Sequence, residues 1–204
     1  MRKVLMSAAV LFGALLVLWT SSVWTHESAW PGKRLAEVFP KAKKFKARQI
    51  TLTAEQIARI EKETGSRIEG EDKAPTFYIA YGPGEDGKSG ELQPMGAVVF
   101  IDAAGQRGNM EVNVAITPKG TLQSVSLWKH QESKQLESQE FLKQFEGDKK
   151  GTDAFQIGKD ITAVPGAEKA SQSMATAAKR GLLMFQEVFG KKDTGEARAD
   201  STKE

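Results

Sequence analysis

The residues best suited to chemistry lie at the start of the last predicted helix. This segment combines proline, glycine and small side chains with two charges, and it reads Pro165, Gly166, Ala167, Glu168, Lys169, Ala170 and Ser171. Small side chains at a helix start let a ligand approach the backbone, where free N–H groups and the helix dipole favour an anion such as phosphate. The same composition is typical of close helix packing, and composition alone favours that interpretation.

Other classes of site lack their residues in this chain. It has no cysteine and two histidines, His26 and His130. This composition excludes disulfides, thiol catalysis, cysteine-bound clusters and a histidine-rich metal site. A hydrolase or a metal enzyme has little support, because neither a G-x-S-x-G motif nor a loop of alternating acidic ligands is present. The net charge of +3 gives no reason to expect nucleic acid as a partner.

The N-terminal segment predicts attachment to a membrane. Arg2 and Lys3 precede a run without charges from Val4 to Trp24, which as a helix spans about 31 Å, close to the thickness of the bilayer hydrocarbon core. The run is long for a signal peptide and lacks an A-x-A cleavage site. We therefore favour an uncleaved anchor over residues 1–25, with the rest of the chain outside. A cleaved signal and a buried helix of a soluble protein are the alternatives.

The remaining pattern predicts an α+β fold, in which an antiparallel sheet meander is packed by helices. Alternating apolar residues predict strands from residue 76, 96, 111 and 121, with one face of the sheet buried. Thr53 and Gln56 form a capping box that opens a helix ending near Thr64. Further helices are predicted over residues 138–145 and from Pro165 or Gly166 to Phe189. Residues 33–48 form a basic first element with interleaved apolar residues, which we interpret as a solvated face.

Four stretches in the second half resemble, in order, a known domain. They are the strand GAVVFI at 96–101, the step VSLWKHQES at 125–133, the helix FLKQFEG at 141–147 and the segment ITAVPGAE at 161–168. Together with the turn at Gly120, they are similar to the FMN-binding domain of the flavin subunits of Rnf-type and sodium-pumping NADH:quinone reductase complexes. The resemblance covers about residues 95–190.

The resemblance implies FMN as the cofactor and places its site. Glu132 and Ser133 match the family step whose backbone lies beside the flavin ring, and Trp128 and Phe145 are candidates to wall it. In the family, a threonine at the end of S-G-A-T carries FMN through a phosphoester. Here that position is Glu168, which cannot form the same bond, and Pro165 replaces the usual Ser or Thr. The implied cofactor-binding residues are Glu132, Ser133, Gly166, Ala167, Glu168, Lys169 and Ser171.

Two functions follow from these expectations. The first is an extracytoplasmic, membrane-associated electron-transfer protein with non-covalent FMN and redox partner proteins; the flavin supplies the chemistry, so no catalytic residue is named. The second is a family member that has lost flavin and serves as a binding or structural subunit. The predicted organisation is a membrane anchor or signal over 1–25, an opening part over 30–90, an FMN-binding-like domain over 91–190 and a polar tail over 191–204.

Overall fold

The computed structural model of the chain describes residues 31–83 and 91–190, and over these residues the predicted α+β class is confirmed. The predicted N-terminal membrane helix and the polar tail lie outside them. Within the described ranges, no helix is both long enough and apolar enough to cross a membrane. Five antiparallel strands form one sheet in the order β1-β2-β3-β4-β5. They are β1 (Lys44–Gln49), β2 (Thr76–Pro83), β3 (Leu92–Ala104), β4 (Asn109–Ile116) and β5 (Leu122–Lys129).

Strands β2 to β5 correspond to the four predicted strands, and β3 extends further at both ends than predicted. The sequence did not predict β1. Half of its six residues are basic and all but Phe45 are exposed. It becomes a strand by pairing with β2, where Phe45 lies opposite Ala80. As an edge strand rich in lysine, β1 has the composition that discourages pairing with other chains.

The main core lies between the sheet and the long helix α4 (Glu168–Phe189). Small residues in the first half of α4 allow a close approach to the sheet, and Ala170, Ala175 and Ala178 are fully buried. The closest fit is at Gly181, where an added Cβ would lie 2.9 Å from Val114 Cγ1 on β4. Helix α2 (Ala54–Thr64) packs against α4 and completes this layer.

The opposite face of the sheet is also partly covered, so the prediction of one buried face is wrong in this region. Helix α1 (Gly32–Val38) lies over it. Leu35 of α1 and the following Phe39 form a second buried cluster with Ala80, Val98 and Ala115 of the sheet. Alternation in the strands did not reveal this cluster because the covering residues come from a distant, basic part of the chain.

The helix boundaries follow local signals with two differences. Helix α2 has the predicted capping box at Thr53 and Gln56 and ends at Gly65, whose φ of 63° is left-handed. The helix predicted over 138–145 is one turn, α3 (Gln139–Leu142), continued by a 3-10 turn over Lys143–Phe145. Helix α4 begins at Glu168 rather than at residue 165 or 166, because Gly166 has a φ of 75° that no right-handed helix includes.

Candidate functional site

The turn between β3 and β4 is held from one side by the carboxylate of Glu132. The turn closes with a hydrogen bond from Gly105 N to Gly108 O at 2.8 Å. Glu132, only 6% exposed, accepts a hydrogen bond from the backbone N–H of Arg107. Its carboxylate fills the space in which a side chain at Gly105 would have to lie. Glu132 therefore fixes the conformation of a turn 25 residues earlier in the chain.

His130 in turn fixes the backbone of Glu132. His130 Nδ1 accepts the Glu132 N–H at 3.2 Å, and Nε2 lies 3.1 Å from Glu137 Oε1. An accepting Nδ1 means that a neutral ring carries its proton on Nε2, which then donates to Glu137. The His130 side chain is 10% exposed. Both ring nitrogens are thus used in holding the segment after β5.

The same turn contacts the start of α4 on its other side. Gln106 Nε2 donates to Gly166 O at 3.4 Å, and Ser173 Oγ donates to Ala104 O at 2.7 Å. The two groups of residues that the sequence associated with a cofactor, around Glu132 and around Gly166, are therefore joined through the β3–β4 turn. Glu132 contacts the turn, and the turn in its place contacts the helix start.

Glu168 folds back over the start of α4. Its Oε1 accepts the Gly166 N–H at 2.9 Å. Hydrogen bonds from the backbone N–H groups of Gly166 and of Glu168 itself lower the pKa of this exposed carboxyl. Ala167, which precedes the helix, is buried and makes no side-chain capping bond. The donors at this helix end therefore face a carboxylate of the chain itself.

The two candidate serines use their hydroxyls within the chain. Ser171 is fully buried; its Oγ donates to Ala167 O at 2.9 Å and accepts from Val164 N at 3.0 Å. Ser133 accepts from Gln135 N at 3.3 Å and opens the 3-10 turn Lys134–Glu137. Ser171 fixes the loop that leads into α4, and Ser133 shapes the segment after Glu132.

A cavity of about 660 Å³ opens beside this helix start. Such a volume lies in the usual range of small-molecule sites, about 300–1,000 Å³. It runs along one face of α4, past the end of β3, to the segment after α2, and Lys169 stands at the end nearest Glu168. Small or polar side chains dominate its lining, which includes Gly65, Ala103, Ala104, Gln172, Ser173, Thr176 and Ala177.

A buried ion pair forms part of the cavity wall. Arg180 Nη1 lies 2.7 Å from Asp72 Oδ2, and its Nη2 donates to Ser66 Oγ. Burial raises the pKa of Asp72 to about 6, against the opposing attraction of the Arg180 guanidinium. Arg180 Nε is buried and has no hydrogen-bond partner within the described ranges. This pair was not predicted from the sequence, although an arginine among small and apolar residues of a packed helix was a signal for it.

Residues 105–183 match the family model of the FMN-binding domain. This part of the chain is therefore similar to FMN-binding domains. The match agrees with the resemblance seen in the sequence and spans the β3–β4 turn, Glu132, Gly166 and the cavity face of α4. It indicates FMN as the cofactor. No curated protein matches the chain.

The candidate site has features that fit FMN and one that does not. The cavity has a suitable volume, and it ends at Lys169 beside a helix N-terminus, which suits a phosphate. Its small side chains leave room for a flat ring, and its polar groups offer hydrogen bonds. The feature that does not fit is Glu168, since a carboxylate replaces the hydroxyl that a phosphoester requires.

The two aromatic residues considered for the flavin ring lie elsewhere. Trp128 packs against Phe100 at a ring separation of 4.8 Å, on the face that α1 covers. Phe145 is fully buried and packs against Phe141 at 5.4 Å. Neither lines the cavity. A flavin in this cavity would therefore rely on hydrogen bonds and contacts with small side chains more than on these two rings.

Proposed function

We propose that this protein is a membrane-associated, extracytoplasmic electron carrier that binds FMN non-covalently in the cavity beside α4. The flavin lies against the small residues at the end of β3 and on α4, and the phosphate end points toward Lys169. When bound, FMN supplies the one- and two-electron chemistry. The protein positions the cofactor and sets the charge around it.

The main support for this proposal is that the β3–β4 turn, the start of α4 and the cavity lie next to one another. The β3–β4 turn, clamped by Glu132, contacts Gly166 and Ser173 at the start of α4. The cavity opens beside that junction. The turn and the α4 side of the cavity lie within the segment that matches the FMN-binding family, whereas the rest of the cavity lining comes from residues 64–72 and 102–104.

The charges at the cavity support a role in binding a flavin. Three basic residues, Arg67, Lys169 and Arg180, line it together with the acidic residues Glu69, Asp72 and Asp102. The Arg180 guanidinium is fixed by its pair with Asp72 and by Ser66. A fixed positive charge near a flavin favours its reduced, anionic form. We expect Arg180 to raise the midpoint potential of the bound flavin relative to a variant without this charge.

The location and partners of the protein belong to the same proposal. The uncharged run over residues 4–24, which follows Arg2 and Lys3, supports an N-terminal anchor with the domain on the outer side of the membrane. A carrier in this position exchanges electrons with other redox proteins at the membrane. If the N-terminal segment is cleaved, the same domain acts as a periplasmic or secreted protein.

The rival function is a binding or structural subunit without flavin. The observation in its favour is the Glu168 carboxylate, which already holds the Gly166 N–H at 2.9 Å. A site whose anion donors are satisfied by the chain itself has less need of a phosphate.

The visible spectrum of the full chain separates these functions. The chain is purified from a host that makes and attaches flavin, and its spectrum is recorded before and after acid precipitation. Non-covalent FMN gives a yellow protein whose colour moves to the supernatant, as we expect. Colour in the pellet would contradict non-covalent attachment. A colourless protein that takes up no added FMN would refute the flavin function and favour the rival.

A further inference from the structure

Glu168 places an anion of the chain itself on the backbone donors at the start of α4. Its Oε1 accepts the Gly166 N–H at 2.9 Å, and the carboxylate also accepts its own backbone N–H. Ala167, before the helix, offers no side-chain cap. A phosphate at a helix N-terminus uses the free backbone N–H groups of the first turn, and the Glu168 N–H is one of these.

Glu168 is not itself part of the cavity lining, but it directly precedes Lys169, which is, so a phosphate bound at Lys169 lies near this carboxylate. Lys169, the next residue, lines the cavity and attracts the phosphate, whereas Glu168 repels it. A ribityl chain that ends in a hydroxyl behaves differently, because a hydroxyl donates a hydrogen bond to a carboxylate. Glu168 is fully exposed, so solvent and salt weaken its repulsion without removing it.

Resting on the proposed function, we infer that Glu168 is a specificity-determining residue that weakens the binding of FMN relative to riboflavin. The same site accepts both flavins, because the ring and the ribityl chain bind in the cavity beyond Glu168. The residue then sets the ratio of the two affinities through its charge at the phosphate end. Its hydrogen bond to Gly166 keeps that charge in a fixed place.

A purely structural role for Glu168 makes a different prediction. An acidic side chain in the first turn stabilises a helix through the helix dipole, with or without a ligand. Under that explanation, neutralising Glu168 changes the stability of the protein but leaves the ratio of FMN to riboflavin affinity unchanged. The ratio therefore distinguishes the two roles.

The test uses Glu168→Gln in the full chain, purified with detergent present throughout. Glutamine keeps the length of the side chain and an oxygen that accepts the Gly166 N–H, so it removes the charge alone. The control is Glu55→Gln, which makes the same change in the first turn of α2. Dissociation constants for FMN and for riboflavin are measured by quenching of flavin fluorescence.

We expect Glu168→Gln to bind FMN roughly tenfold more tightly and to bind riboflavin as the unmodified chain does. Glu55→Gln should leave both constants unchanged. An FMN-to-riboflavin ratio in Glu168→Gln equal to that of the unmodified chain would overturn the inference and leave the proposed function intact. If no folded version of the chain binds either flavin, the proposed function fails and the inference fails with it.

Discussion

The carboxylate of Glu132 lies where the side chain of Gly105 would have to be. A Cβ added at Gly105 would collide with Glu132 Oε1, and the same carboxylate accepts the Arg107 N–H. A buried acid after β5 and a glycine after β3 thus form one unit, which holds the β3–β4 turn against Gly166 and Ser173. This unit explains why the turn and the start of α4 stay together beside the cavity.

Gly105→Ala tests this relationship. We expect it to destabilise the protein by about 1–3 kcal/mol, because the added methyl group must displace Glu132 or distort the turn. In a Glu132→Ala background, the cost of Gly105→Ala should be smaller, although Gly108 O, 2.8 Å from the added Cβ, keeps part of it. Urea denaturation of both single variants and the double variant measures the coupling. Additive effects would show that the two residues do not interact.

The buried and exposed arginine–carboxylate pairs should differ strongly in their effect on stability. Arg180–Asp72 and Arg59–Glu187 have the same shortest N–O distance of 2.7 Å, but the arginine side chains are 9% and 53% exposed. Arg180→Met leaves a buried carboxylate unpaired and should lower the free energy of unfolding by about 3–5 kcal/mol. Arg59→Met is the matched control and should change the free energy of unfolding far less, because solvent screens an exposed pair. Equal losses in urea denaturation would show that burial does not decide the difference.

The buried Asp72 should make stability fall as the pH rises. Burial raises its pKa from 3.8 to about 6 in the folded state. Between these values the folded state binds more protons than the unfolded state, so the free energy of unfolding decreases with increasing pH. Ionisation of Asp72 therefore lowers the free energy of unfolding by at most about 3 kcal/mol, and this loss is complete above the folded-state pKa.

Asp72→Asn isolates this contribution, because asparagine keeps an oxygen for Arg180 and does not titrate. Carboxyls with a lowered pKa, such as Asp160 and Glu168, act in the opposite direction, and their contribution is lost on acidification. The difference between the unmodified chain and Asp72→Asn should therefore change between about pH 4 and 6. Parallel stability curves over that range would contradict the raised pKa of Asp72.

The close contact of α4 with β4 predicts that Gly181→Ala lowers stability, whereas helix propensity alone predicts that it raises stability. Alanine is favoured over glycine inside a helix by about 1 kcal/mol. Gly181→Ala should nevertheless destabilise the protein by about 1–3 kcal/mol, because the added Cβ lies 2.9 Å from Val114 Cγ1. Val114→Ala should reduce that cost in the double variant, as measured by thermal and urea denaturation. A stabilised Gly181→Ala would mean that α4 and β4 can separate.

Local patterns predicted most of the elements but not the contacts between distant segments. The alternation in β2 to β5 and the capping box at Thr53 depend on neighbouring residues, and both are present in the structure. Strand β1 forms only through its pairing with β2, and α1 covers the second face of the sheet from a segment whose charges hid its role. These two features required knowledge of tertiary contacts.

In the candidate site as well, individual residues were predicted from the sequence, whereas the contacts between distant residues were not. Residues on both sides of the β3–β4 turn were named from the resemblance, but the clamp of Glu132 on that turn joins residues 25 positions apart. The Arg180–Asp72 pair joins residues 108 positions apart. No periodicity or motif encodes such a pair, because it arises when two surfaces meet in the folded chain. The structure thus supplied the contacts that shape the cavity.

The central claim, that FMN binds in the cavity beside α4, is tested most directly by filling that cavity. Ala104 is an exposed residue at the end of β3 that lines it, and Ala58 is an exposed residue of α2 outside it. FMN is titrated into the full chain carrying Ala104→Trp or Ala58→Trp, with circular dichroism to confirm folding. We predict that Ala104→Trp weakens FMN binding at least tenfold, roughly 1.4 kcal/mol or more, while Ala58→Trp binds as the unmodified chain does. A folded Ala104→Trp variant with undiminished FMN affinity would contradict the claim.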